Sequence, residues 1–243
     1  MSKRVNKELK PLKLSVTEKE TVRILYLAQY APYPAQTTAT IDLVFPAQSK
    51  YHFDLYQTLC SLDLDLTPMS DPGAALNVIS DYGYIFSVQN SAPFRNSEVL
   101  ISAAAECFGI PYLGAPPNVR ALAEDKYLAN RFVGSLGVRT PRSEIVREQA
   151  QLKSEPPFDG PFIVKPRFGV NSELLTDDCI QDNWADIAQP WRRLKEAGVE
   201  SIVEEFIPGG NVGAPFVEAL GASRTGFLQE VPVGGRNVLT RDH

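Results

Sequence analysis

Apolar positions in the first half of the chain fall in short continuous runs divided by segments of helical period. "VRILYLA" at 22–28 has strand length, and "FPAQSKYHFDLYQTLCS" after it repeats Phe53, Tyr56, Leu59 and Cys60 at helix spacing. "LDLDLTPM" alternates as a strand does, "DPGAALNVIS" opens a helix on Asp71 and Pro72, and "YIFSVQN" is another buried strand. "NSEVLISAAAECFGI" predicts a helix ending near Gly109, and "PYLGAPP" a short strand closed by prolines. Strands alternating with helices imply a parallel sheet covered on both faces.

The grammar changes after Pro117. A helix is expected over 118–136, with Leu122, Ala129, Val133 and Leu136 in one stripe and Phe132 beside it. Lys126 projects within about 40° of Leu122, and an ammonium at that edge needs an anion. "TPRSEIV", "PFIVKP" and "SIVEEFI" read as strands. "CIQDNWADIAQPWRRLKEAGV" reads as a helix broken at Pro190 that carries Trp184 and Trp191 on one core-packing face, and "PFVEALGA" and "GFLQEVPV" read as further strands. The expected organisation is a flexible leader (1–20), an α/β domain with a parallel, Rossmann-like sheet (21–117) and an α+β domain (118–243), with no internal repeat.

Composition narrows the function. The 243 residues are 44% hydrophobic and 22% charged, with a net charge of -5 and scattered basic residues. That suits a globular protein acting on small molecules and argues against a nucleic-acid partner. No apolar run reaches the roughly 20 residues of a membrane span. Three distant cysteines, Cys60, Cys107 and Cys179, form neither a disulfide framework nor a zinc motif, which fits a reducing cytoplasm. Cys107, in an apolar helical context, is expected to be a small buried side chain. Two histidines, His52 and the terminal His243, cannot supply a Ser-His-Asp relay or a two-histidine metal site.

The remaining chemistry falls in order along the second half. Lys126 is followed by Lys165 at a strand end in "IVKPRFGVNS", by the Gly169 turn, and by Glu204 and Glu205 ending "SIVEEFI". Two lysines and a turn that lets backbone N–H groups approach make an anion site. Glu205 and Ile207, just before Pro208 and Gly209, are expected to leave backbone groups that read the edge of a flat base. The loop "NSAPFRNSE" follows a buried strand, where open α/β sheets bind ligands, so Arg95 and Glu98 are candidate substrate contacts.

The order of these pieces resembles the ATP-grasp ligases, and among them the D-alanine:D-alanine ligase branch. The resemblance rests on "IPYLGAPPNVRALAEDKYLANRFVGSLGVRTP", "PFIVKPRFGVNS" and "VEEFIPGG" and runs from about residue 82 to 218. It implies a pre-ATP-grasp domain followed by an ATP-grasp domain. It also implies that Lys126 and Lys165 contact ATP phosphates, that Glu204 sits at the adenine amino group, and that the backbone of Glu205 and Ile207 brackets the ring. Asn171 and Ser172 take the place of the family's catalytic serine pair, and Asn211 that of its ribose-binding glutamate.

The departures concern substrate and metal. After "RILYLA" the chain has "QYAPYPAQTT" in place of the family's glycine-rich turn and amine-orienting glutamate. The family's C-terminal magnesium ligands have no counterpart before "GGRNVLTRDH", so no metal ligand is assigned. The resemblance implies an ATP- and Mg2+-dependent carboxylate–amine ligase acting through an acyl phosphate on amino-acid-like substrates, with a homodimer or a C-terminal partner segment to complete it. The competing reading is a non-catalytic nucleotide-binding module with a regulatory or scaffolding role.

Overall fold

The structure, a computed structural model, describes residues 21–32, 46–89, 98–154, 157–169, 172, 174–209, 211–213, 216–219, 222–225 and 229–231. The leader, Arg95 and Asn171 lie outside these residues.

Strand β1 (Arg23–Leu27) is followed by helix α1 (Pro46–Cys60), strand β2 (Asp65–Met69), helix α2 (Pro72–Val78), strand β3 (Tyr84–Ser87) and helix α3 (Val99–Phe108). The sheet is parallel in the order β2-β1-β3. β1 is buried on both faces, which is why its sequence is a continuous apolar run. Leu25 and Leu27 meet Ala75, Ile79, Ile101 and Ala105. Tyr26 and Ala28 meet Tyr56 of α1 on the other side, where the Tyr26 hydroxyl donates to the His52 carbonyl at 2.7 Å. His52 is a buried core histidine whose Nδ1 accepts from the Tyr30 N–H at 3.1 Å.

The sequence signals for helix ends hold. Asp71 caps α2 by accepting from Gly73 N at 2.8 Å. α3 ends on Gly109 at φ 68°, with its N–H satisfying the carbonyls of Ala105 and Glu106. Cys107, expected inside, is exposed. The inward face of α3 is Ile101, Ser102 and Ala105, and a residue two places on from Ala105 points the opposite way. "PYLGAPP" forms one parallel bridge, Tyr112 to Ile85, instead of a full strand.

Two further expectations fail on helices. Residues 118–136 are two helices, α4 (Pro117–Glu124) and α5 (Lys126–Ser135), separated at Asp125, whose extended backbone (φ -83°, ψ 95°) caps α5. The break divides the anticipated stripe: no residue of α5 is buried, and Leu128, Phe132 and Leu136 stand exposed.

Downstream come β4 (Ser143–Val146), β5 (Phe162–Pro166), β6 (Ile180–Gln181), helix α6 (Ala188–Glu196) and β7 (Ser201–Glu205). They form a four-stranded antiparallel sheet in the order β4-β7-β5-β6. Pro190 does not break a helix. It lies in the first turn of α6, where backbone N–H groups have no partner to lose. Trp184 lies in the preceding 3-10 turn, and both tryptophans join the core with Phe158, Phe162, Val164, Leu194 and Val203. β8 (Asn211–Gly213) pairs with β11 (Gln229–Val231), and β9 (Phe216–Ala219) with β10 (Ala222–Thr225), both antiparallel. The architecture is α/β, a parallel-sheet layer followed by an antiparallel α+β layer, as the element grammar predicts. Among the described residues no helix is long and apolar enough to cross a membrane.

Candidate functional site

The second sheet has two unlike faces, and the register of β5 against β7 decides what each carries. Lys165 lies opposite Ile202, and Ile163 opposite Glu204. Alternation therefore puts Ile163, Lys165, Ile202 and Glu204 on one face, and Phe162, Val164 and Val203 on the other, against α6. Lys165 and Glu204 are diagonal neighbours, a separation that a long lysine spans. Lys165 Nζ forms an ion pair with Glu204 Oε2. The other carboxylate oxygen of Glu204 accepts from Asn130 Nδ2 of α5 at 2.7 Å. Glu204 is 1% exposed.

Lys126 comes to the same place from α5. It is the first residue of that helix, not a side chain on the flank of a longer one. Its ammonium donates to the carbonyl of Gly169 at 2.7 Å, and its own N–H donates to the carbonyl of Arg167 at 3.0 Å. Gly169 has φ +94° with open space where a Cβ would stand, the conformation that a turn closing on a cation requires of glycine. Burial holds the Lys126 ammonium down to about pKa 8, with the positive charge of Lys165 acting in the same direction. Glu204, Glu124 and Asp125 oppose that shift. Among the described residues Lys126 has no carboxylate within ion-pair distance. Lys165 thus takes the buried carboxylate while Lys126, within reach of the charges of both, rests on a neutral carbonyl and retains positive charge for an incoming anion.

A second network holds this arrangement in place. Arg167 donates Nε and Nη2 to the two oxygens of Asp125 at 3.0 and 2.6 Å, and Nη1 to Glu200 Oε1 at 2.5 Å. Asp125 Oδ1 also accepts from the N–H groups of Tyr127 and Leu128, both at 3.1 Å. Burial raises the Asp125 pKa, but the Arg167 hydrogen bonds and the two helix N–H groups outweigh it, so the carboxyl lies below its ordinary value. Sequence reasoning missed Asp125, Asn130, Arg167 and Glu200. Asp125 carried one usable signal, an Asp directly ahead of a candidate lysine, which is an N-cap pattern.

The other sequence-named residues divide. Glu205 pairs with Arg142 at 3.5 Å, and its N–H is taken by the Arg142 carbonyl at 2.9 Å, so it leaves no free backbone donor. Ile207 is 59% exposed beyond the strand end. Glu204, expected to face an adenine amino group, is engaged on both oxygens inside the site. Ser172 is described at φ 53° on the Gly169 turn. Asn211 opens β8. Glu98, ahead of α3, pairs with Arg120 at 3.8 Å and is not brought to the lysines. An open recess of about 520 Å3 lies between α5 and β4; its lining includes Asn130 but neither lysine. Among the described residues no group of three or more His, Cys, Asp or Glu could hold a metal ion.

No family model matches the chain. Its sequence is similar to the D-alanine--D-alanine ligase of Bordetella petrii, 29% identical over 110 residues, 45% of this chain and 33% of that protein. The D-alanine--D-alanine ligase of a Marinomonas strain is 33% identical over 116 residues, 45% of this chain and 34% of that protein. The chain thus spans about a third of the length of these relatives. Among solved structures it is similar to VanG D-Ala:D-Ser ligase from Enterococcus faecalis, at TM-score 0.53 and 25% identity over 61% of this chain and 43% of that one. An L-amino acid ligase from Bacillus licheniformis shares the fold at TM-score 0.59 and 14% identity, over 90% of this chain and 52% of that one. D-alanine--D-alanine ligase from Bacillus anthracis complexed with ATP does so at TM-score 0.53 and 14% identity, over 87% and 72%.

Proposed function

We propose, for a chain that belongs to the ATP-grasp superfamily and its D-alanine:D-alanine ligase-like branch, that Lys126 and Lys165 receive the phosphates of ATP in a carboxylate–amine ligation. The observation that carries this reading is their proximity: Lys126, at a helix start, rests on the Gly169 turn, and Lys165, on a strand, rests on the buried Glu204, each close enough to feel the other's charge. A polyphosphate is the natural counter-ion for two such cations, and preorganised charge in a half-buried site costs little reorganisation when it binds.

In this reading Glu204 holds Lys165 and, through Asn130, ties it to α5. The backbone around exposed Ile207 meets the base, and Asn211 meets the ribose. Ser172, with Asn171 beyond the described residues, lies on the turn over the phosphates, and Arg95 and Glu98 belong to the substrate loop. The γ-phosphoryl of ATP passes to a substrate carboxylate, and an amino-acid amine then displaces phosphate from the acyl phosphate to form the amide. Magnesium belongs to the same reaction and neutralises phosphate charge, and no described residue is assigned to it. Residues 21–117 serve as the pre-ATP-grasp domain and 118–243 as the nucleotide-binding domain, acting in the reducing cytoplasm that three free thiols suit.

Titration calorimetry with ATP tests the reading. Lys126→Ala and Lys165→Ala are each expected to weaken binding at least tenfold, about 1.4 kcal/mol or more. Unchanged affinity removes the phosphate assignment. Tight ATP binding without ADP release, in the presence of magnesium and paired amino acids, would favour a binding module over a ligase.

A further inference from the structure

We infer that Arg167 is the positioning residue of this site: it touches neither nucleotide nor substrate, and it sets where Lys126 stands by gripping α5 at its cap. The inference rests on the phosphate reading above and adds a residue to it.

The Arg167 side chain ties together three elements of the site. It directly follows β5 and lies two residues after Lys165. Its guanidinium clamps both oxygens of Asp125, the cap of α5, and its third nitrogen takes Glu200, the residue before β7. The main chain repeats the connection: Arg167 N donates to the Glu200 carbonyl at 2.8 Å, and the Arg167 carbonyl accepts from Lys126 N at 3.0 Å. The guanidinium side chain is 15% exposed and lies over the rings of Tyr127 and Phe168, at 5.9 and 4.9 Å. Two residues later, the Gly169 carbonyl takes the Lys126 ammonium.

The α4–α5 break has its cause here. Nothing in "RALAEDKYLANRF" interrupts a helix locally, since it contains neither proline nor glycine. In a continuous helix the Asp125 carboxylate would have no free backbone N–H groups to accept from. Capping instead gives Asp125 two N–H partners and turns its oxygens to Arg167. Buried ion pairs contribute weakly to stability and are better suited to fixing one arrangement over others. Only arginine has the planar fork that holds two carboxylates in fixed directions. Lysine at 167 would keep the charge and lose the geometry.

The test follows the Lys126 ammonium itself, by carbon NMR of 13C-methylated lysines, with the Lys126 signal assigned by its loss in Lys126→Arg. Wild type is expected to titrate near 8, reflecting burial beside Lys165 that Glu204, Glu124 and Asp125 only partly offset. Arg167→Lys is expected to move that titration upward by at least one pH unit while the circular dichroism stays native, and to weaken ATP binding tenfold or more. Glu200→Gln, which spares the Asp125 clamp, is expected to give a smaller shift in the same direction and guards against a misfolded Arg167→Lys. Unchanged Lys126 titration in both variants, or an ordinary value in wild type, overturns the inference. If Lys126 moves as expected but wild type binds no ATP, the positioning stands and the phosphate reading fails.

Discussion

The two sheets of this protein bury different things. The parallel sheet hides apolar side chains on both faces of β1, with Leu25, Tyr26 and Leu27 all fully enclosed. The antiparallel sheet packs its large apolar cluster on its α6 face; on the other, next to buried Ile202, it buries Glu204 beside Lys165 and within reach of Asn130. A sheet that buries hydrocarbon on both sides is a scaffold. A sheet that buries a carboxylate and holds a second cation short of a carboxylate is suited to receive a ligand, because such charge is stabilised when something of opposite sign completes it.

The sharpest way to break the comparison is to remove the buried acid. Glu204→Ala leaves Lys165 and Asn130 without their partner, and is expected to cost about 3–5 kcal/mol in urea unfolding. A cost under about 1 kcal/mol would mean that the pair is solvated and the faces are not different in kind. Leu27→Ala in the scaffold sheet is expected to cost roughly 3 kcal/mol through its cavity and to leave ATP affinity alone. Loss of affinity there would show that the two sheets work as one unit.

Acidity separates the regions more finely, because each buries a base. An unfolded Lys126 keeps its proton to about 10.5, while the folded one releases it near 8. The unfolded state therefore holds more protons in between, and stability contributed by this group rises with pH from about 8 to 10.5. Anion binding runs the other way. ATP affinity is expected to fall by up to about tenfold per pH unit above 8, and Lys126→Arg to flatten that profile. The smallest effect belongs to His52, whose pKa burial holds below 6.5. Stability in the scaffold sheet should decline as pH falls below that value, and His52→Gln should remove the decline.

Much of this was legible because it is local. Asp71 before Pro72 and Gly109 after an apolar helix act through their own backbone neighbours, and β1 announces itself by its unbroken apolar run. Lys165 and Glu204 were legible as strand-end residues, since alternation fixes their face. Glu204 as the counter-ion of Lys165 was not, because that depends on the register between two strands far apart in the chain. The Asp125 break left only an N-cap residue as a local mark, since Arg167, which holds it, lies 42 residues away. Pro190 misled because a proline in a first turn and a proline in a helix interior look alike until the helix start is known. Cys107 misled because an alanine-rich helix disguises which side is wet.

The diagonal pairing of Lys165 with Glu204 makes folding the guardian of the chemistry. Sliding β5 by a single residue against β7 would turn the lysine to the opposite side, driving an ammonium into the hydrocarbon around Phe162, Trp191 and Leu194. A chain with such a frame error would fail to assemble before it could bind anything. Insertions and deletions within these two strands are therefore purged at the stage of collapse, whatever ligand the finished protein receives.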